Sequence, residues 1–255
     1  MVAIDTEAVL KRRDIFPRGL AQPEGGYRFS QDSILLACFT HTTRRHIGID
    51  LGCGSGPISL GLLLRQPDLT LTGVEIDPLA VAAANENAVG LHFTDRFSAI
   101  EGDVADWRPD KVVDFVVANP PYREISRHRV GKKEEIKTAR FENRGDFAQF
   151  ARCAANALKT RGKFTFVHLS ERLSELMDGL SDAGLEPKRM RMVHGRVNET
   201  SKMVLMETIK AGGVGLKVEP PLILLEGEGK ATRYTKDALE FCPFLDFNNG
   251  DRGKE

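Results

Sequence analysis

Ile47-Gly48-Ile49-Asp50-Leu51-Gly52-Cys53-Gly54-Ser55-Gly56 is the stretch that decides the fold, and the helical Ile58-Ser59-Leu60 follows it at once. An apolar strand, a glycine-rich turn and a helix N-terminus in immediate succession let a ligand lie against backbone, because glycine permits close approach and unusual dihedrals. Strand and helix signals then alternate on either side of it. Strands are expected near 46–51, 70–75, 96–101, 112–118 and 162–168, and helices near 57–66, 78–89, 146–159 and 170–183. That alternation predicts a parallel sheet with helices on both faces. Beyond it, Met190–His194, Lys202–Ile209 and Leu222–Glu226 are strand-like, and a hairpin closing the sheet edge is the expectation. Ahead of it, residues 1–29 carry turn signals at Pro17, Gly19, Pro23, Gly25 and Gly26, leaving room for a short hairpin. Ser30 is placed to cap a helix with an Ile34, Leu35, Ala37, Cys38 and Phe39 face.

The glycine turn alone also fits nicotinamide and flavin binders. Acidic residues narrow the choice. Asp50 would repel a pyrophosphate but suits a ligand carrying an ammonium and a sulfonium, such as S-adenosylmethionine. Glu75, ending the second strand before Ile76 and Asp77, is placed to accept from ribose hydroxyls, while Asp77 with Pro78 reads as a helix start. Asp103 closes the third strand, where it can accept from an adenine amino group while the Val104 N–H donates to the ring. Three carboxylates at successive strand ends share the edge where α/β proteins bind ligands. No Lys-Ser/Thr follows the glycines, which excludes a P-loop.

The strand Val112–Ala118 delivers Asn119-Pro120-Pro121-Tyr122 to the same edge. Two prolines end the ladder and stiffen the loop. The Asn119 amide and the Pro120 carbonyl then face outward as hydrogen-bonding groups, beside the flat Tyr122 phenol, a set that fits a planar conjugated –NH2.

Composition sets the outer limits. The chain has 255 residues, with Lys plus Arg (36) equal to Asp plus Glu (36), so any hold on nucleic acid must come from local clusters. Cys38, Cys53, Cys153 and Cys242 lie far apart without a C-x-x-C pair, which points to reduced thiols, no metal and a cytoplasmic setting. No apolar run approaches membrane-spanning length. Residues 1–45 are expected as an N-terminal extension of hairpin and helix packed on the core, and 46–255 as the ligand-binding domain. His168, His194 and Trp107 are expected to be structural.

With Asp50-Leu-Gly-Cys-Gly-Ser-Gly, Glu75-Ile-Asp, Asp103 and Asn119-Pro-Pro-Tyr in this order and spacing, the chain resembles the class I S-adenosylmethionine-dependent methyltransferases that methylate amines. Within them it is most similar to bacterial tRNA adenine-N6 methyltransferases acting on the adenosine 3′ of the anticodon in a valine tRNA. The narrower resemblance rests on Gly26-Tyr-Arg-Phe-Ser-Gln-Asp-Ser-Ile-Leu-Leu-Ala37, on His194-Gly-Arg-Val-Asn-Glu-Thr-Ser-Lys-Met-Val-Leu205 and on Tyr234–Leu239. It implies a Rossmann-like α/β fold: a seven-stranded, mostly parallel sheet with one antiparallel edge hairpin and helices on both faces.

The resemblance further implies that Tyr27, Phe29 and Asp32 line the methionine end of the cofactor. Asp50, Gly52, Gly54, Glu75, Ile76, Asp103, Val104 and Asn119 would hold the rest, and Asn119, Pro120, Pro121 and Tyr122 would form the catalytic corner, releasing S-adenosyl-L-homocysteine. A tRNA anticodon loop is the implied partner, with the protein a monomer or weak dimer. Residues 123–144 carry eight Lys/Arg against four Glu, so Arg123, Arg127, Lys132 and Lys133 are candidate RNA contacts. A second segment, Lys188, Arg189, Arg191, Arg196 and Lys202, adds Arg196 and Lys202. Two other substrates suit the same corner: a release-factor glutamine amide, methylated at N5, and a ribosomal RNA base. A methyltransferase-like binding module without activity is the reading from outside enzymology.

Overall fold

The computed structural model of the chain describes residues 6–23, 29–122 and 147–248. Its centre is a parallel run of β3 (Phe97–Glu101), β2 (Thr70–Glu75), β1 (Ile47–Leu51), β4 (Val113–Ala118) and β5 (Leu158–Leu169), in that spatial order. Next to β5 comes β7 (Met203–Lys210), antiparallel, and then β6 (Leu185–His194), its hairpin partner. These seven strands meet the expected seven-stranded sheet with an edge hairpin. Two two-residue strands, β8 (Lys217–Val218) and β9 (Leu222–Ile223), pair alongside β6. A separate ribbon joins β10 (Leu225–Glu226) to β11 (Arg233–Tyr234).

The helices are α1 (Thr6–Asp14), α2 (Gln31–Phe39), α3 (Pro57–Arg65), α4 (Pro78–Gly90), α5 (Phe147–Ala157), α6 (Leu173–Asp182) and α7 (Lys236–Phe241). Strand alternation assigns each side chain to a layer. Phe115 and Val117 of β4 join the core shared with α2, α3, α4 and the C-terminal tail, while Val116 and Ala118 join the core shared with α5 and α6. On β1, Ile49 and Leu51 face the α5 and α6 side. Gly48 lies against the Phe115 ring, so it and Asp50 face the other layer.

Several expectations shift. Where a hairpin was expected in residues 1–29, the described part begins with helix α1, whose Glu7 in the first turn and Lys11, Arg12 and Arg13 in the last complement the helix dipole. Ser30 occupies the α2 N-cap position without making a side-chain capping bond. Helix α5 ends at Ala157, two residues early, because β5 starts at Leu158 and absorbs a register shift against β4, with Arg161 at φ 69°. Strand β6 starts at Leu185, five residues early. Its polar Glu186-Pro187-Lys188 start hides a strand that tolerates proline at a register shift. Asp103 lies two residues past the end of β3.

Helix α2 is buried from Asp32 to Phe39, and its end carbonyls need partners. Arg65 Nη1 donates to Ala37 O at 2.6 Å and Arg189 Nη2 to Phe39 O at 2.5 Å, with the Arg189 guanidinium 3.8 Å above the Phe39 ring. From the tail, Tyr234 O–H donates to Gln31 Oε1 at 3.2 Å and the Cys242 thiol to Ile34 O at 3.7 Å. Both ends of α2 are thereby fixed.

Gly48 and Phe115 are direct cross-strand partners, and a Cβ on Gly48 would lie 2.3 Å from Phe115 Cζ. Gly48→Ala should therefore destabilise by about 1–3 kcal/mol, and adding Phe115→Leu should restore part of that loss in urea unfolding. An undiminished penalty in the double variant would show the clash to be elsewhere.

Candidate active site

Parallel pairing sets Leu51 opposite Val74 on one side and opposite Ala118 on the other. The glycine turn, Glu75 and Asn119 therefore leave the sheet side by side. Gly52 N and Cys53 N both donate to Val74 O, at 2.8 and 3.2 Å. Gly54, at φ 53°, has open space where a Cβ would stand, and its N–H donates to Glu75 Oε2 at 2.9 Å. Glu75 Oε1 accepts from the Ile76 and Asp77 amides at 2.8 and 3.0 Å. Three backbone donors thus orient one half-buried carboxylate. Beside it, the Ile76 side chain stays 39% exposed, while Asp77 caps α4 by accepting from Leu79 N at 2.9 Å. Asp103 Oδ1 accepts from Ala105 N at 3.0 Å, and Val104 packs against the α5 and α6 core.

Asp50 is fully buried. Ser59 Oγ of α3 donates to its Oδ2 at 2.8 Å, and its Oδ1 has no partner. Burial pushes this carboxyl from the ordinary 3.8 up to about 7, with the Ser59 bond opposing and the Glu75 charge adding to the rise. It would act on a bound cation through the low-dielectric wall rather than by contact.

At the end of β4, Asn119 and Tyr122 are half-buried, Pro120 is buried and Pro121 is exposed. The N-terminus of α2 reaches them. Asn119 Nδ2 donates to Ser33 Oγ at 3.0 Å, and Tyr122 O–H lies 2.6 Å from Asn119 Oδ1 and 3.3 Å from Asp32 Oδ2. Among the described residues none donates to the Pro120 carbonyl. His168, near the end of β5, packs edge-on against the Tyr122 ring with centroids 5.2 Å apart, and against Phe147 at 5.8 Å. Its Nδ1 accepts from Leu169 N at 2.8 Å, which assigns the proton to Nε2, buried without a partner. Burial, reinforced by Arg172, pushes this imidazole down to about 4, so it is neutral at physiological pH.

The sequence pointed to Asp32, Asn119, Pro120 and Tyr122, and the structure brings them together. Ser33, Ser59 and His168 complete the arrangement and were not singled out as functional. Only the Asp-Ser step after Ser30-Gln31 hinted at Ser33, and nothing local marks the other two. Phe29 packs against the core on the α2 side. Tyr27, Arg123, Arg127, Lys132 and Lys133 lie outside the described residues.

The second basic segment is largely committed to the fold. Arg189 pairs with Glu207 and Glu219, and Arg191 lies 4.7 Å over the Phe241 ring. Arg196 donates to Gly227 O and, at 2.9 Å, to Thr232 Oγ1. Lys202 is exposed. All four cysteines are free and buried. Among the described residues there is no His/Cys/Asp/Glu group that could hold a metal, and no helix long and apolar enough to cross a membrane.

The profile of the methyltransferase small domain matches residues 30–177, more than half of the chain. The chain belongs to this family. A relative from Pedobacter heparinus, a tRNA1(Val) (adenine(37)-N6)-methyltransferase, is 28% identical over 176 residues, 68% of this chain and 73% of its own. One of the same description from Porphyromonas gingivalis is 28% identical over 207 residues, 77% and 78% of the two chains. Among solved structures, one described as a predicted O-methyltransferase from Agrobacterium tumefaciens superposes with a TM-score of 0.68 at 20% identity, covering 84% of this chain and 96% of that one. The cofactor of this methyltransferase is S-adenosylmethionine, and the sheet edge fits it. Space is open over Gly54, the aligned carboxylates of Glu75 and Asp103 are acceptors for a ligand rich in N–H and O–H donors, and a buried carboxyl rather than a basic side chain backs the glycine turn.

The Asp50 carboxyl gives a testable slope. Its raised value means that the folded state keeps a proton which the unfolded state gives up near 3.8. Its contribution to stability is therefore full in acid and is lost as pH rises towards 7. Relative to wild type, Asp50→Asn should gain about 3 kcal/mol of urea stability between about pH 5 and about pH 8. A constant difference would mean that Asp50 is already ionised in the fold.

Proposed function

We propose that this chain methylates N6 of the adenosine beside the anticodon of a tRNA of the valine type, working in the cytoplasm. The observation that carries the reading is the corner at the end of β4. There the Asn119 carboxamide and the Pro120 carbonyl stand beside an aromatic ring and next to the glycine turn. The printed descriptions of the Pedobacter and Porphyromonas relatives supply the choice of tRNA.

S-adenosylmethionine, when bound, supplies a methyl group on a sulfonium leaving group. The chain's task is then mainly placement. An exocyclic adenine amine is a poor nucleophile because its lone pair is delocalised into the ring. Asn119 Oδ1 and the Pro120 carbonyl accept its two N–H groups, drawing the nitrogen towards a pyramidal geometry and holding it still. The Tyr122 ring, backed edge-on by His168, provides a surface for the base. A neutral His168 adds no charge beside it, and no strong base is required, because the amine becomes acidic only as its new bond forms and then gives its proton to solvent water. An anticodon loop presents its bases at low unstacking cost.

With S-adenosylmethionine held at saturation, Asn119→Ala should lower kcat on a valine tRNA transcript at least about 100-fold. Nucleoside mass spectrometry of the wild-type product should show N6-methyladenosine. Methylation of a glutamine-containing release factor instead, or of ribosomal RNA alone, would refute the tRNA assignment.

A further inference from the structure

Among the described residues the Tyr122 hydroxyl donates towards two acceptors, Asn119 Oδ1 at 2.6 Å and Asp32 Oδ2 at 3.3 Å. The nearer acceptor is the atom that the proposed reaction assigns to the target amine. A carbonyl oxygen already accepting a short O–H bond is a poorer acceptor for a weakly acidic N–H. The Asn119 amide is held by its Nδ2 bond to Ser33 Oγ at 3.0 Å, which keeps the oxygen towards Tyr122. The ring, packed on His168, is held too. What can move is the hydroxyl hydrogen.

Asp32 is built to receive it. It sits in the first turn of α2, where the helix dipole favours a negative charge, and only 9% of it is exposed. Among the described residues no Lys or Arg forms a salt bridge with it. Burial raises its carboxyl above the ordinary value, with the Ser30 and then the Tyr122 hydroxyl working against that rise. Helix α2 cannot withdraw, because Arg65, Arg189 and the tail hold both of its ends. A charge-assisted O–H···O bond is about twice as strong as a neutral one, so a modest approach from 3.3 Å compensates Tyr122 for leaving Asn119.

We propose that Asp32 is a positioning residue for methyl transfer: when the amine's N–H takes the Asn119 oxygen, the Tyr122 hydrogen turns to the Asp32 carboxylate, leaving the carbonyl to the amine. This rests on the reading of Asn119 as the amine's acceptor. No covalent bond changes in the exchange. One hydrogen bond is traded for another, and the free enzyme keeps its empty acceptor covered.

A double-variant cycle on tRNA separates the roles. With S-adenosylmethionine held at saturation, Asp32→Asn should lower kcat about tenfold. In a Tyr122→Phe background the same change should cost nothing further. An equal loss in that background, or a loss confined to cofactor affinity, would overturn the assignment, since Asp32 would then act without the hydroxyl. A readout without substrate keeps the two readings apart. Ultraviolet titration of the Tyr122 phenol, identified by its absence in Tyr122→Phe, should shift down by about one pH unit in Asp32→Asn. No shift would overturn the proposal, whereas absent tRNA turnover by wild type with the shift intact would count against the substrate alone.

Discussion

Parallel pairing of β1 with β2 and β4 is the constraint on which the rest of the molecule depends. It aligns three strand ends to within a residue, so that the glycine turn, Glu75 and Asn119 become neighbours although they are far apart in the chain. The order β3-β2-β1-β4-β5 also reverses direction of growth between β1 and β4. A reversal of this kind opens a crevice at the carboxyl edge, because the following helices depart to opposite faces. Both halves of the proposed reaction use that crevice. Donor and acceptor need no separate domains to meet.

Around it the carboxylates divide their work by burial. Glu75 is held by three amides and shapes the turn, Asp103 organises the loop that follows it, and Asp50 is withdrawn into the α3 layer. Asp32 arrives from a helix that precedes the sheet in sequence. Its place in the site depends on α2 being an internal element, gripped at its C-terminal end by Arg65 and Arg189. A charged residue from the late hairpin thus supports, through one rigid helix, a carboxylate near the proposed catalytic corner.

The five parallel strands and the helices between them were legible because their apolar residues repeat with the strand and helix periods and are punctuated by glycine and proline. The corner at Asn119 was legible for a covalent reason: two prolines stop a strand wherever it lies. Less was visible where meaning depends on partners distant in sequence. The side of β1 that Asp50 takes is fixed by Phe115 filling the space over Gly48 and by Ser59 arriving from α3. His168 gains its contact with Tyr122 only when β5 lies beside β4. Arg189, Arg191 and Arg196 form part of a basic segment in the sequence, yet in the fold they donate to Phe39 O at the end of α2, to Pro220 O and to Thr232 Oγ1. The start of β6 was hidden by Pro187, which an edge strand tolerates at an irregularity.

The reach of the C-terminal tail into α2 carries a lesson for how such a chain can be cut. The family match ends at residue 177, before β6, β7 and the segment that delivers Arg189, Tyr234 and Cys242 to the buried helix. A fragment trimmed to the matched span would keep the glycine turn and Asn119, yet it would leave α2 without three of its anchors and expose the β5 edge to whatever strand it met. Boundaries drawn by family likeness and boundaries set by mechanical support do not coincide in this molecule.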